Sequence, residues 1–168
     1  VGPVEPGGYV ADLVWATSYR NIRSAATVLA ALEKVPDYTV AQKAATRGFV
    51  KTMIAQEYVN QLRVRDTFGI VVDVPADPTV LGAFVTRDSG YKRAAALFDE
   101  AKADLASGGT AFRFALPSGL SGFNKPANCV RANHAFKARV GVYVTDGVYT
   151  WVTRGEAFMN TARDQQWA

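Results

Sequence analysis

The side chains that could carry out catalysis are few in this sequence, and their spacing does not favour an active site. His134 is the only histidine, and without a second imidazole neither a multi-histidine metal site nor a Ser-His-Asp arrangement with a spare histidine can be built. Asp99, Glu100 and Asp104 share one helical segment, whereas a glycosidase needs two carboxylates that face each other across a cleft. We expect these acids to pair with basic neighbours such as Arg93 on a solvated side, and His134 to have a packing or surface role. No catalytic residue and no metal site are predicted.

A basic stripe is the second chemical feature. Lys43, Arg47 and Lys51 follow one another at intervals of four, which places them along one side of a helix. Such a stripe could meet phosphates or an acidic partner, but no aromatic residues interleave with it for base stacking. The stripe is therefore expected to be solvated, and no nucleic acid is expected as a partner.

The amino-acid composition limits the classes of protein to which this chain can belong. The chain has 168 residues, of which 49% are apolar and 20% charged, with a formal net charge of +4. This is the balance of one globular domain with a real core, and no apolar run approaches the roughly 18 residues of a membrane-spanning helix. Cys129 is the only cysteine, which excludes an internal disulfide and a cysteine-based zinc site. The Gly- and Pro-rich segment 1–8 is expected to be a flexible lead-in, and 9–168 a helical domain from a longer protein.

Helical periodicity dominates the elements that must position these side chains. Thr39 and Gln42 form a predicted capping box at the start of the second helix, and Pro126 is placed in the first turn of the fourth. Apolar residues cover two sides of the second helix, so it should lie between neighbours. The predicted helices span about 12–34, 40–64, 88–107, 125–144 and 148–163.

Two expectations concern the packing of these helices. The first helix is predicted to pack on the second and the third on the fourth, as antiparallel hairpins. Segment 66–84 is interrupted by Gly and Pro and is predicted to be a long connector with at most one short strand. Trp15 and Tyr19 fall on the apolar side of the first helix, so Trp15→Ala is expected to cost roughly 3–5 kcal/mol of stability.

Four stretches together resemble the amino-terminal, TPR-like half of SusD/RagB-type proteins. They are WATSYRNIRSAATVLAAL (Trp15–Leu32), AATRGFVKTMIAQEYVNQLRVRDTFGI (Ala44–Ile70), YKRAAALFDEAKADLASG (Tyr91–Gly108) and FNKPANCVRANHAFKARVGVY (Phe123–Tyr143). The resemblance implies an all-α fold of antiparallel helical hairpins in a TPR-like superhelix. It also implies a surface-exposed lipoprotein of the outer membrane that binds glycans or other nutrients for a SusC-like, TonB-dependent transporter. No enzymatic activity and no cofactor are implied, and the family's lipid-attachment cysteine is not seen in this chain.

Glycan binding by such proteins relies on aromatic rings that stack on sugar C–H groups, flanked by side chains that pair with hydroxyls. Arg65, Asp66 and Phe68 follow the second helix and are the predicted ligand-binding residues, because loops carry function on a rigid scaffold. The alternative is structural: an Arg–Asp pair that closes this loop onto the first helix. Trp15 and Tyr19 are poor candidates if they lie in the core.

Two other classes of function stay open. The first is a stand-alone α-helical repeat scaffold that mediates protein–protein interaction. The second is a small enzyme with a site in the loop 112–124, although the sequence supplies no nucleophile–base pair there. If the resemblance holds, this chain alone is expected to bind saccharides weakly or not at all, whereas a longer chain that includes the family's other half is expected to bind, since a sugar site normally needs several convergent polar groups.

Overall fold

The computed structural model describes residues 9–116 and 118–144. Four helices dominate this part of the chain: α1 (Tyr9–Leu32), α2 (Val40–Arg65), α3 (Arg87–Ala106) and α4 (Pro126–Tyr143). The predicted all-α fold of helical hairpins is confirmed. The lead-in 1–8 and the predicted helix 148–163 lie outside the described residues.

Local sequence signals explain where the helices begin. The Gln42 backbone N–H donates to Thr39 Oγ1 (3.2 Å) while the Thr39 backbone N–H donates to Gln42 Oε1 (3.0 Å), so the predicted capping box is confirmed. Thr86 caps α3 by accepting from the Ser89 backbone N–H. Pro126 occupies the first turn of α4, where a missing N–H costs nothing.

The connector between α2 and α3 contains two strands where the sequence predicted at most one. After a 3₁₀ turn (Asp66–Phe68), β1 (Ile70–Val72) pairs antiparallel with β2 (Ala83–Val85). Gly69 makes the entry to β1 possible, because its φ is +68° and a Cβ there would lie 2.1 Å from the Val85 carbonyl oxygen. The hairpin lies at the end of the bundle where α2 stops.

Helix α2 is the centre of the fold. It packs against α1 on one side and most extensively against α3, and α3 packs in turn against α4. Both predicted helix pairs and the predicted placement of α2 between neighbours are therefore confirmed. The largest side chains with almost no exposed surface are Ile22, Tyr58, Leu62, Ile70, Phe98 and Leu105.

The inner side of α4 packs against the core of the bundle. Cys129, Asn133 and Val140 are buried, and Phe136 and Tyr143 are partly buried against the core. The Asn133 side chain donates from Nδ2 to Thr52 Oγ1 of α2 (2.9 Å), which ties α4 to the centre of the bundle.

The core assignment of Trp15 was wrong. Trp15 is only partly buried, because α1 and α2 are antiparallel and the start of α1 lies beside the last turn of α2, where the core tapers. Tyr19, one turn further along, does pack against the core. We therefore expect Trp15→Ala to cost only about 1–2 kcal/mol in the free energy of unfolding, as for other half-exposed contacts.

Candidate functional site

The candidate site is a cluster of aromatic rings around one guanidinium group at the end of α2. The Cζ atom of Arg65 lies 4.4 Å from the ring centre of Trp15, 5.9 Å from that of Phe84 and 6.0 Å from that of Phe68. We call Arg65, Trp15, Phe68 and Phe84 the aromatic platform. It joins four elements, because the rings come from α1, the 3₁₀ turn and β2, and Arg65 is the last residue of α2.

Hydrogen bonds hold the platform in place from beneath. Arg65 donates from Nε to the Gly69 carbonyl oxygen (3.0 Å), which fixes the guanidinium over the turn. The Tyr19 hydroxyl donates to the Val71 carbonyl oxygen (2.9 Å) and accepts from the Val71 N–H (2.8 Å), so α1 satisfies one edge of β1. Trp15 stacks on Tyr19 with ring centres 4.2 Å apart. The rings are thus attached to backbone whose hydrogen bonds are already made within the fold.

Tyr19 provides a pH-dependent prediction for this support. Burial raises the pKa of Tyr19 from 10.0 to about 12. A folded-state pKa above the ordinary value means that this stabilisation is complete below pH 10 and is lost as the pH rises through about 12. We expect the urea midpoint of unfolding to fall across this window, and to fall less in Tyr19→Phe; an equal decline in both proteins would contradict the assignment. The decline that remains in Tyr19→Phe is assigned to Tyr58 and Tyr91, whose pKa values burial also raises.

The outer surface of the platform is apolar and open. Phe68 is 75% exposed and Phe84 58% exposed, and Leu81 just before β2 is 85% exposed. Large apolar side chains grouped at one place on a surface mark a binding site more often than single exposed ones do. This cluster is therefore the strongest candidate site among the described residues.

The three residues predicted to bind ligand do not all lie together. Arg65 and Phe68 belong to the platform, whereas Asp66 turns away and forms an ion pair with Arg87 of α3 (Arg87 Nε to Asp66 Oδ1, 2.9 Å). The structural alternative, an Arg65–Asp66 pair that closes the loop onto α1, was wrong, because Arg65 reaches α1 by stacking on Trp15 instead. Whether Arg65, Asp66 or Phe68 contacts a ligand remains a prediction.

Sequence reasoning missed two of the four platform residues. Trp15 was excluded because its spacing to Tyr19 and Ile22 matched a core side, and periodicity does not show where a core tapers. Phe84 was missed because β2 has only three residues and was not recognised as a strand. The one available signal was the exposed run Val80 to Phe84, in which three of five residues are large and apolar after two prolines.

The basic stripe is paired within the fold. Arg47 donates from Nε to Asp104 of α3 (2.9 Å), and Lys51 Nζ lies 2.9 Å from Asp104 and 3.1 Å from Glu100. The expectation of a solvated stripe was therefore wrong for Arg47 and Lys51, which face the acids of α3 across the α2–α3 contact. The expected pairing of Arg93 with an acid of its own helix is confirmed, because Arg93 Nη1 lies 2.8 Å from Glu100 Oε1. The carboxylates of α3 already pair with Arg47 and Lys51, so little positive charge of the stripe is left for a phosphate.

The two other reactive side chains, His134 and Cys129, are buried. His134 is buried and its pKa is lowered, chiefly by burial. Burial raises the pKa of the Cys129 thiol to about 11, which leaves it protonated and unreactive at neutral pH. Over the described ranges, with gaps at 1–8, 117 and 145–168, no cluster of histidine, cysteine and carboxylate side chains could hold a metal ion.

Two shallow hollows beside α1 are smaller than ordinary ligand pockets. One of about 150 Å³ lies between α1 and α3 and is crossed by the Arg93–Glu100 ion pair; another of about 250 Å³ lies beside Ile22 and Met53. Small-molecule pockets usually enclose about 300–1,000 Å³. The open platform therefore remains the better candidate site.

Comparisons with known proteins found no matching family model, no matching curated protein and no matching solved structure. Within the described part of the chain, no helix is both long and apolar enough to cross a membrane.

Proposed function

We propose that this chain is a non-catalytic saccharide-binding domain and that its ligand stacks on the aromatic platform. The observation that carries the proposal is the position of Arg65 among three rings, two of which are more than half exposed. Sugar rings present C–H groups that stack on aromatic faces, while their hydroxyls accept hydrogen bonds from guanidinium N–H groups. Arg65 uses Nε internally, and its two terminal nitrogens make no hydrogen bond within 9–116 and 118–144.

The fuller proposal follows the resemblance to SusD/RagB-type proteins. The chain would be the TPR-like helical part of a nutrient-binding protein that serves a TonB-dependent, SusC-like transporter at the outer-membrane surface. Support comes from the order of the helical hairpins and from a ring cluster in the loop after α2, where Arg65 and Phe68 were predicted to bind ligand because they follow a helix end.

Saccharide binding should depend on the platform rings. We expect the chain to bind an oligosaccharide weakly, with Kd in about the millimolar range, because the site is open on one side. Trp15→Ala and Phe84→Ala should each weaken binding by about tenfold, the value of one stacking contact. A screen of neutral and acidic oligosaccharides on an array, followed by saturation-transfer NMR on the best binders, would measure this.

A matched control is available at the opposite end of α2. Arg113 stacks on Tyr38 with the guanidinium carbon 5.1 Å from the ring centre, about 40 Å from the platform along α2. Tyr38→Ala removes an aromatic–arginine contact of the same kind and should leave binding unchanged. Binding that is lost equally in Tyr38→Ala and Trp15→Ala, or no binding to any saccharide on the array, would contradict the proposed function.

The second candidate function is a stand-alone helical scaffold for protein–protein interaction. It is favoured by one observation: Leu13, Val14 and Val28 are exposed large apolar residues on α1. A scaffold of this kind would lose partner binding in Val28→Lys and keep it in Phe84→Ala. If the chain binds saccharides at the platform, saccharide binding should be lost in Phe84→Ala and kept in Val28→Lys.

A further inference from the structure

A second arginine cluster lies on the other side of the last turn of α2. The guanidinium carbons of Arg63 and Arg139 lie 5.2 Å and 5.8 Å from the ring centre of Tyr143. Arg139 also donates from Nη2 to the Tyr143 hydroxyl (3.1 Å). Two exposed cations from different helices thus share one aromatic ring.

The charge of these two arginines is not balanced by the described residues. Neither Arg63 nor Arg139 has a carboxylate within 4 Å in the ranges 9–116 and 118–144, whereas Arg47, Arg87 and Arg93 all do. The nearby acids are engaged elsewhere: Asp66 pairs with Arg87 at 2.9 Å, and Asp88 lies 3.8 Å from the same side chain. Two cations against one ring, without a carboxylate partner among the described residues, make this part of the surface positive and favour an anion.

The guanidinium groups of Arg63 and Arg139 keep donors for an anionic ligand. Among the described residues Arg63 makes no hydrogen bond and Arg139 uses only Nη2, so other N–H groups remain to pair with the oxygens of a carboxylate or sulfate. Tyr143 brings both cations against one ring. The ligand group that fits is a flat or compact anion such as a uronate carboxylate.

The arginine cluster and the platform lie at the same end of α2. Arg63 and Arg65 both lie in the last turn of α2, and residues two apart on a helix point to sides about 160° apart around the axis. The turn formed by Asp66–Phe68 joins the two sides, since Asp66 contacts Arg87 and Phe68 contacts Arg65. An oligosaccharide stacked on the platform can pass over this turn toward Tyr143.

We propose that the ligand of the platform is an acidic saccharide whose carboxylate is bound by Arg63 and Arg139. The proposal rests on the proposed function, because it names the substrate class of the same site. The neutral rings of the ligand stack on Trp15 and Phe84, and its acid is recognised across the last turn of α2.

The test compares hexagalacturonate with its fully methyl-esterified form on the whole chain, by calorimetric titration at low salt. The two probes share a backbone and differ in charge. We expect the acidic form to bind about tenfold more tightly, since a charge-assisted hydrogen bond contributes about 1.5–3 kcal/mol. Added salt should weaken the acidic form alone.

Variants separate this inference from the proposed function. The double variant Arg63→Gln/Arg139→Gln should bring the two affinities within about twofold of each other and leave the ester unaffected. Arg131→Gln is the matched control, because Arg131 is an exposed arginine on α4 with no carboxylate within 4 Å among the described residues. Equal binding of both probes, lost in Trp15→Ala, would overturn the acidic preference and leave the proposed function standing. Binding of neither probe would count against both.

Two further titrations identify the source of the anion. Sodium sulfate that competes as well as hexagalacturonate would show a simple anion site and overturn the saccharide assignment. Tighter binding of an oligo-dT strand than of hexagalacturonate, with the same arginine dependence, would assign the surface to a nucleic acid instead, since arginines with aromatic rings also fit single strands.

Discussion

Phe98→Ala should lower the free energy of unfolding by about 3–5 kcal/mol. Phe98 is fully buried on α3, where its ring lies 6.4 Å from that of Phe136 on α4. Alanine leaves a cavity that the packed helices cannot close, so both the lost burial and the empty volume destabilise the fold. Urea unfolding followed by circular dichroism gives the value from the shift in midpoint, provided the slope is unchanged.

Phe68→Ala is the matched control for this change. It removes the same ring from a site that is 75% exposed, and should cost no more than about 0.5 kcal/mol. A loss under about 1 kcal/mol in Phe98→Ala, close to that of the surface variant, would mean that α3 does not pack between α2 and α4 as described.

Gly48→Val is expected to have the second-largest effect, a loss of about 3 kcal/mol. Gly48 lies where α2 crosses α3, and a Cβ there would be 2.7 Å from Leu105 Cγ and 2.8 Å from the Ala101 carbonyl oxygen. The second contact is backbone, so the helices must move apart. The gain in helix propensity over glycine is about 0.5 kcal/mol and does not offset this.

The control for Gly48→Val is Gly119→Val. A Cβ at Gly119 meets nothing within 4 Å, so the same substitution should change the free energy of unfolding by no more than about 0.5 kcal/mol. If Gly48→Val were equally mild, the close crossing of α2 and α3 would be contradicted. Thermal unfolding of both variants at one heating rate makes the comparison.

The helices were predictable because their signals are local. Thr39 and Gln42 lie within one turn, and the apolar spacing of α3 around Phe98 depends only on nearby positions. The pairing of Arg47 with Asp104 was not predictable, because these residues are 57 positions apart and meet only once α2 and α3 pack. Local sequence patterns therefore predict the helices, whereas the pairing of charged residues depends on how the helices pack.

The candidate site was predictable only in part for the same reason. Arg65 and Phe68 could be picked out because they follow a helix end, where side chains often reach solvent. Trp15 and Phe84 reach the same place from α1 and β2, which needs the antiparallel packing of α1 on α2 and the register of a three-residue strand. Asp66 was misplaced because its partner, Arg87, comes from the start of α3.

We propose above that saccharides bind at the aromatic platform. The most direct test is a two-dimensional ¹H–¹⁵N NMR titration of the whole chain with the oligosaccharide that binds best on the array. We expect the largest chemical-shift changes at the Trp15 indole N–H and at the backbone N–H groups of Gly69 and Phe84. The backbone N–H signal of Tyr38 should not move. Shifts confined to the exposed side of α1 around Val28, with the Trp15 indole unmoved at saturation, would contradict it.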